Sequence, residues 1–109
     1  MAEAKHFSDD TLKSTLNDMK TPILLAFFAP WSNACKVLDS VMRELASDYG
    51  KRLQIGLMNV DENAHAPAEY GVTNVPHFVL FNATGEVVNQ LSGPHPKTKI
   101  IEMLDKNLV

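Results

Sequence analysis

The side chains best suited to covalent chemistry lie in segment 31–36, which reads Trp-Ser-Asn-Ala-Cys-Lys. Cys35 is the single cysteine of the 109-residue chain, so no intramolecular disulfide can form. Its thiol is either a reactive nucleophile or, one turn into a helix, a small buried hydrophobe of low reactivity. Ser32 lies three residues earlier. Its hydroxyl is expected to cap a helix, and no Ser-His-Asp arrangement indicates a serine nucleophile.

Metal, nucleic-acid and membrane chemistry are not indicated by the sequence. Cys35 and His77 offer too few ligands for a closed zinc site, and no cofactor is implied. The net charge is -3 and no basic run occurs, which disfavours nucleic acid and anionic membranes as partners. The longest apolar stretch, 22–31, is too short to span a bilayer. The other histidines are expected to be solvated surface residues: His6, His65 and His95.

Length and composition predict one globular domain over residues 1–109. Hydrophobic residues make up 45% and charged residues 21%, which are ordinary values for a globular chain of this length. A single cysteine is typical of a reducing compartment, and residues 1–6 contain no apolar core of a signal peptide. We therefore predict a cytoplasmic location.

The elements that position segment 31–36 follow from the pattern of apolar residues. The uninterrupted apolar run Ile23–Phe28 predicts a strand buried on both faces of a parallel sheet. Apolar residues then recur at helical spacing up to Gly50, which predicts a long helix over 33–49. The other predicted elements are a short strand near 5–7, helices over 9–19, 64–70 and 97–108, and strands over 53–60, 78–81 and 86–91.

This order of elements predicts an α/β fold with a central mixed sheet flanked by helices. Strands joined by a helix run parallel, and the turn at 82–85 joins the last two strands as an antiparallel hairpin. In such sheets a functional site usually lies beyond the carboxyl end of a central strand. The strand ending at Phe28 leads directly into segment 31–36, so we predict the site there.

Several segments resemble thioredoxins. Segment 29–36, Ala-Pro-Trp-Ser-Asn-Ala-Cys-Lys, is similar to the thioredoxin signature, in which Trp-Cys-Gly-Pro-Cys-Lys follows a strand. Val75-Pro76 resembles the cis-proline loop of that family, and segments 59–61 and 92–93 also carry similar residues. The resemblance extends over essentially the whole chain. It implies a thioredoxin fold and a role in thiol-disulfide redox homeostasis, as a protein disulfide oxidoreductase.

The departures from the family pattern concern the chemistry. Ser32 replaces the nucleophilic cysteine of the family, whereas Cys35 keeps its resolving cysteine. Dithiol exchange needs an attacking thiolate and a second thiol that releases the mixed disulfide, so this chain cannot complete the cycle alone. The resemblance also implies that Ala26 and Leu57 stand where the family usually has a buried Asp and a Lys, which handle the proton of the resolving cysteine. Once redox cycling is lost, a buried Asp and Lys have no chemical role. Replacing a buried ion pair by apolar residues often leaves the stability of the fold unchanged or raises it.

The resemblance also implies a surface for partners. Trp31, Val75, Pro76 and Gly93 would grip an extended partner chain, whose backbone pairs beside the cis-proline by β-augmentation. His77 follows this proline. It either approaches Ser32 or Cys35 and favours the thiolate by its positive charge, or it points away because side chains alternate along a strand.

Three hypotheses about function remain open at this point. In the first, Cys35 forms mixed disulfides with protein cysteines or glutathione, with a thioredoxin reductase as another partner. In the second, the protein is a redox-inactive binding module or chaperone-like adaptor in which Cys35 is inert. In the third, Ser32 is a laboratory substitution in an ordinary disulfide reductase, an account that leaves Ala26, Leu57 and segment 33–34 unexplained.

Overall fold

The computed structural model describes residues 4–18 and 20–108. Its elements are, in chain order, β1 Lys5–His6, α1 Asp9–Asp18, β2 Ile23–Phe28, a 3₁₀ turn Asn33–Cys35, α2 Leu38–Tyr49, a 3₁₀ turn Gly50–Arg52, β3 Gln54–Asn59, α3 His65–Glu69, β4 His77–Phe81, β5 Val87–Ser92 and α4 Lys97–Asn107. The predicted α/β class is confirmed. Apart from the long helix, predicted bounds differ from these by one residue at most; the predicted last residue of the first helix, Met19, lies outside the described residues.

The sheet is mixed, with strand order β1-β3-β2-β4-β5. β2 pairs in parallel with β3 and antiparallel with β4, and β5 closes the antiparallel hairpin. The first five residues of β2 are buried, as its uninterrupted apolar sequence predicts for a strand covered on both faces. This central strand therefore delivers the chain from the core of the sheet directly to segment 31–36.

Alternate residues of β2 belong to two different cores. Leu24 and Ala26 pack among the buried residues of α2 and α4, and Leu25 and Phe27 pack on the opposite face with residues of α1 and α3. This division follows from the period of two along a strand. It provides a reference for deciding on which face any residue near the site lies.

Asp9 joins the first helix to the third. Its carboxylate accepts hydrogen bonds from the backbone N–H groups of His65, at 3.1 Å, and Ala66, at 2.8 Å. In return, the Asp9 N–H donates to Asn63 Oδ1 at 2.9 Å. These bonds satisfy N–H groups in the first turn of α3, which have no intrahelical partners. α3 is thereby held against the start of α1.

The predicted helix over 33–49 is wrong at its beginning. Residues Asn33–Cys35 form a 3₁₀ turn, and the α-helix starts only at Leu38. Within the described chain, the Ser32 side chain makes no capping hydrogen bond, contrary to our expectation. The first N–H groups instead find backbone partners three residues back, from Cys35 to Ser32 at 3.1 Å and from Lys36 to Asn33 at 3.2 Å. Ser32 and Cys35 consequently close a single tight turn.

Candidate functional site

The predicted site segment lies at the carboxyl end of the central strand. Trp31 is 69% exposed, and its indole N–H donates to Asp61 Oδ1 at 3.2 Å. Asp61 is itself held in a turn, where its N–H donates to Asn59 Oδ1 at 2.9 Å. Asn59 is the last residue of β3, and Trp31 follows β2, which is the parallel neighbour of β3. The turn after β3 therefore holds the exposed ring of Trp31 through Asp61. Trp31 is thus a held surface residue and not part of the core.

Cys35 lines a small cavity beside this segment. The cavity measures about 180 Å³. Cys35 and Ser32 are both half-buried and both border it, together with the apolar side chains of Phe28, Leu38 and Leu57. The thiol is therefore partly shielded and next to an apolar space, although it is not sealed in the core.

One row across the sheet explains the apolar wall of this cavity. Ala26 of β2 is the register partner of Leu57 of β3, and Leu57 is the partner of His6 of β1. Ala26 and Leu57 are both buried and apolar, so the two inner positions of the row contain no titratable group. The third position holds a titratable residue, His6. It lines the cavity and packs edge-on against Phe28, with 6.0 Å between the ring centroids.

His6 was expected to be a solvated surface residue. It is exposed as expected, but the structure also places it at the wall of the Cys35 cavity. Only the register of β1 on β3 could have revealed this position of His6. A strand of two residues carries too little sequence pattern to specify its register. Sequence analysis therefore missed this neighbour of the thiol.

A second depression lies on the other side of Ser32 and has a volume of about 280 Å³. We call it the Trp31 groove. Trp31, Ser32 and Val75 line it, together with Pro67 and Val72 at and after α3. The Val75–Pro76 bond is cis as predicted, and the Gly93 N–H donates to the Pro76 carbonyl at 2.9 Å. The four residues predicted to bind partners accordingly lie at one end of the sheet: Trp31, Val75, Pro76 and Gly93.

His77 does not belong to the site. Its side chain is 5% exposed, and its ring lies against Phe27 at 6.2 Å between centroids, on the α1 and α3 face of the sheet. Its Nε2 is 2.7 Å from Gln90 Oε1, which can only accept, so Nε2 donates. The Cys35 cavity is bordered by Leu57 of the opposite core. The hypothesis that His77 tunes the thiol is therefore wrong, because strand alternation directs its side chain to the other face.

Across residues 4–18 and 20–108, no group of three or more His, Cys, Asp and Glu side chains is arranged to hold an ion. His65 is exposed as expected, whereas His95 is half-buried and lies 3.1 Å through Nε2 from the Ser92 carbonyl. In the same ranges, no helix has the length and apolar character needed to cross a membrane.

Comparison with known proteins agrees with this geometry. The Thioredoxin family model matches residues 3–106. A thioredoxin of Haemophilus influenzae is 35% identical over 108 residues, covering 99% of this chain and 100% of the relative. A thioredoxin of Rickettsia bellii is 33% identical and covers 95% of this chain and 93% of its own length. An M-type chloroplastic thioredoxin of Chlamydomonas reinhardtii is 32% identical, covering 98% and 76% respectively.

Proposed function

The chain belongs to the thioredoxin family of redox proteins, and from this premise we propose that it is a one-cysteine member that forms mixed disulfides through Cys35 without cycling between dithiol and disulfide. The observation that carries this proposal is the pair of positions that close the 3₁₀ turn. One holds the thiol of Cys35, and the other holds the hydroxyl of Ser32. A serine hydroxyl cannot form a disulfide.

The proposed reaction is a single exchange. The Cys35 thiolate attacks one sulfur of a partner disulfide, a new S–S bond forms, and the partner's second sulfur leaves as a thiolate that takes a proton from water. Release of the mixed disulfide then requires an external thiol, such as glutathione or a partner cysteine. A thioredoxin reductase would act on this adduct and not on an internal disulfide.

The test is a comparison of stoichiometry and turnover. The protein should take up one equivalent of a model disulfide, measured by intact mass, while it shows negligible reduction of insulin in the presence of reductant. Cys35→Ala should abolish uptake, and Ser32→Ala should preserve it. Sustained insulin reduction by the unaltered chain would overturn the proposal, as would the absence of any adduct after prolonged incubation.

A specific observation supports a second candidate function, binding without redox chemistry. The exposed Trp31 ring donates a hydrogen bond to Asp61, and it borders a groove that Val75 also lines. Such a groove offers apolar contact to an extended chain. A binding module would keep its partners in Cys35→Ala and lose them in Trp31→Ala, whereas a monothiol protein would retain covalent partners only while Cys35 is present.

We extend the proposal to location. The one cysteine fits a reducing, cytoplasmic compartment, in which exchange with external thiols is available. Fractionation with detection of the Cys35 redox state would test this part, since a fully oxidised adduct in an oxidising compartment would contradict it.

A further inference from the structure

We propose that the Cys35 cavity is a subsite for a small disulfide whose sulfur carries a compact apolar group bearing a carboxylate. The inference rests on the proposed mixed-disulfide function and names the substrate class of that site. It concerns low-molecular-weight disulfides, as distinct from the extended protein chains that suit the Trp31 groove. Three features of the structure carry it.

The first feature is the side of Ser32 on which the sulfur lies. Ser32 borders both the cavity and the Trp31 groove, whereas the described lining of the groove includes Ser32 but not Cys35. A nucleophile at position 32 would therefore face both depressions. The one remaining thiol borders only the cavity, so a group bonded to Cys35 has this space as its nearest enclosure.

The second feature is the size and wall of the cavity. A volume of about 180 Å³ exceeds the roughly 150 Å³ of an apolar protein cavity that accepts benzene. The wall is formed mainly by carbon, from Phe28, Pro30, Leu38 and Leu57. The apolar row of Ala26 and Leu57 keeps buried charge away from this wall. A single aromatic ring or a branched aliphatic group fits this space, and a bulky polar peptide does not.

The third feature is the charge at the rim. The titratable groups that border the cavity besides Cys35 are His6 from β1, Lys36 after the 3₁₀ turn and Asp39 from α2. Asp39 lies 2.8 Å from Arg43 in an exposed ion pair, so a positive charge accompanies its negative one. Among the described residues Lys36 has no such ion-pair partner. The rim therefore favours an anionic substituent on an otherwise apolar ligand.

The chemical step conserves atoms and electrons. Cys35 loses its proton to solvent, and the thiolate attacks R–S–S–R to give Cys35–S–S–R and R–S⁻, which is protonated by solvent. The two electrons that reduce one sulfur of the ligand come from the Cys35 sulfur, and no further oxidant is required. The R group that stays on Cys35 occupies the cavity, and the leaving thiol departs through its open side.

The experiment compares four disulfide probes on the native and the guanidinium-unfolded chain. The probes are dithiobis(nitrobenzoate), which is aromatic and anionic; dithiodipyridine, aromatic and uncharged; oxidised glutathione, polar and anionic; and cystamine, aliphatic and cationic. Dividing each native rate by the unfolded rate removes the intrinsic reactivity of the probe. We expect the ratio to be about tenfold higher for the aromatic anion than for cystamine, and intermediate for the uncharged aromatic probe, because burial of a ring contributes favourably.

Two variants locate the effect in the cavity. Leu57→Phe fills it from within, and His6→Trp adds a ring over it from an exposed position; both should reduce the ratio toward that of cystamine. Val88→Phe, on the exposed face of β5, adds a ring elsewhere and should change nothing. Equal ratios for all probes, or a preference that survives in His6→Trp, would overturn the inference while leaving mixed-disulfide formation intact. Failure of every probe to label native Cys35 would refute the proposed function as well.

Discussion

Restoring the missing sulfur by Ser32→Cys is expected to create a disulfide that stabilises the protein. The backbone already closes a turn between the two positions, with the Cys35 N–H 3.1 Å from the carbonyl of residue 32. Side chains three residues apart are eclipsed in a 3₁₀ turn, and both positions border the same cavity. The new thiol therefore needs little backbone movement to reach Cys35.

The size of the effect follows from the length of the closed loop. A disulfide across four residues removes an entropy from the unfolded chain worth about 2 kcal/mol in the chain-entropy relation. With an unfolding entropy of about 2.1 cal/mol/K per residue, the 109-residue chain should melt about 9 °C higher when oxidised than when reduced. Thermal denaturation of S32C with and without dithiothreitol measures this difference, and Ser32→Ala under both conditions is the matched control.

Turnover should recover less than stability does. Ala26 and Leu57 leave no titratable group at the two buried positions of the row beside Cys35, so no buried side chain of this row transfers a proton to or from the resolving thiol. We expect S32C to reduce a protein disulfide with thioredoxin reductase more slowly than an ordinary thioredoxin does. Two free thiols after oxidation, or equal melting temperatures, would refute the geometric argument. Full turnover would refute the argument from Ala26 and Leu57 and would favour a laboratory origin of Ser32.

Three further predictions concern the framework. Asp9→Ala should lower the free energy of unfolding by about 1–2 kcal/mol, because two N–H groups of α3 lose their acceptor, whereas exposed Asp10→Ala should have little effect in the same urea titration. Gly56→Ala should cost about 1–3 kcal/mol, since its Cβ would lie 2.5 Å from the Phe7 ring and 3.2 Å from Leu25 Cδ1; unchanged stability would contradict the packing of Phe7 against Gly56. Burial and the Asp105 carboxylate raise the pKa of Tyr49 to about 12 from 10.0, so the folded state favours neutral Tyr49; its contribution is complete below pH 10 and is lost as the pH rises toward 12. Urea titrations across this interval should show a shallower loss of stability in Tyr49→Phe than in the unaltered protein.

The sequence predicts the fold well where one physical signal dominates. The uninterrupted apolar run of β2 can be buried only where both faces of the sheet are covered, and β2 lies at such a place. The predicted start of the long helix was wrong. Apolar residues recur at helical spacing only from residue 37 onward, and segment 33–35 has no such spacing, so the prediction placed the start of the helix too early. With no side-chain cap, local backbone bonds determined that turn instead.

The site was predictable in its position and only partly in its neighbours. Segment 31–36 and the cis-proline loop follow from motif resemblance, and the structure brings them to one end of the sheet. Strand alternation left two orientations open for His77, and the pairing of β4 with β2 decides which face receives its side chain. Whether His6 reaches the thiol depends on β1 pairing with β3. Both are long-range pairings that a local pattern does not encode.

The alternation along β2 has a consequence for how the molecule opens. One strand contributes buried side chains to both cores and hydrogen-bonds to both neighbours, so β2 cannot leave the sheet without exposing both cores. The two halves should therefore unfold as one cooperative unit, and the amide protons of β2 should exchange with solvent only through global unfolding. β5 is paired on one side alone and is mostly exposed, so its amides should exchange earlier by local fraying. Native-state hydrogen exchange would then distinguish a rigid platform beneath Cys35 from a looser strand at the edge near Gly93.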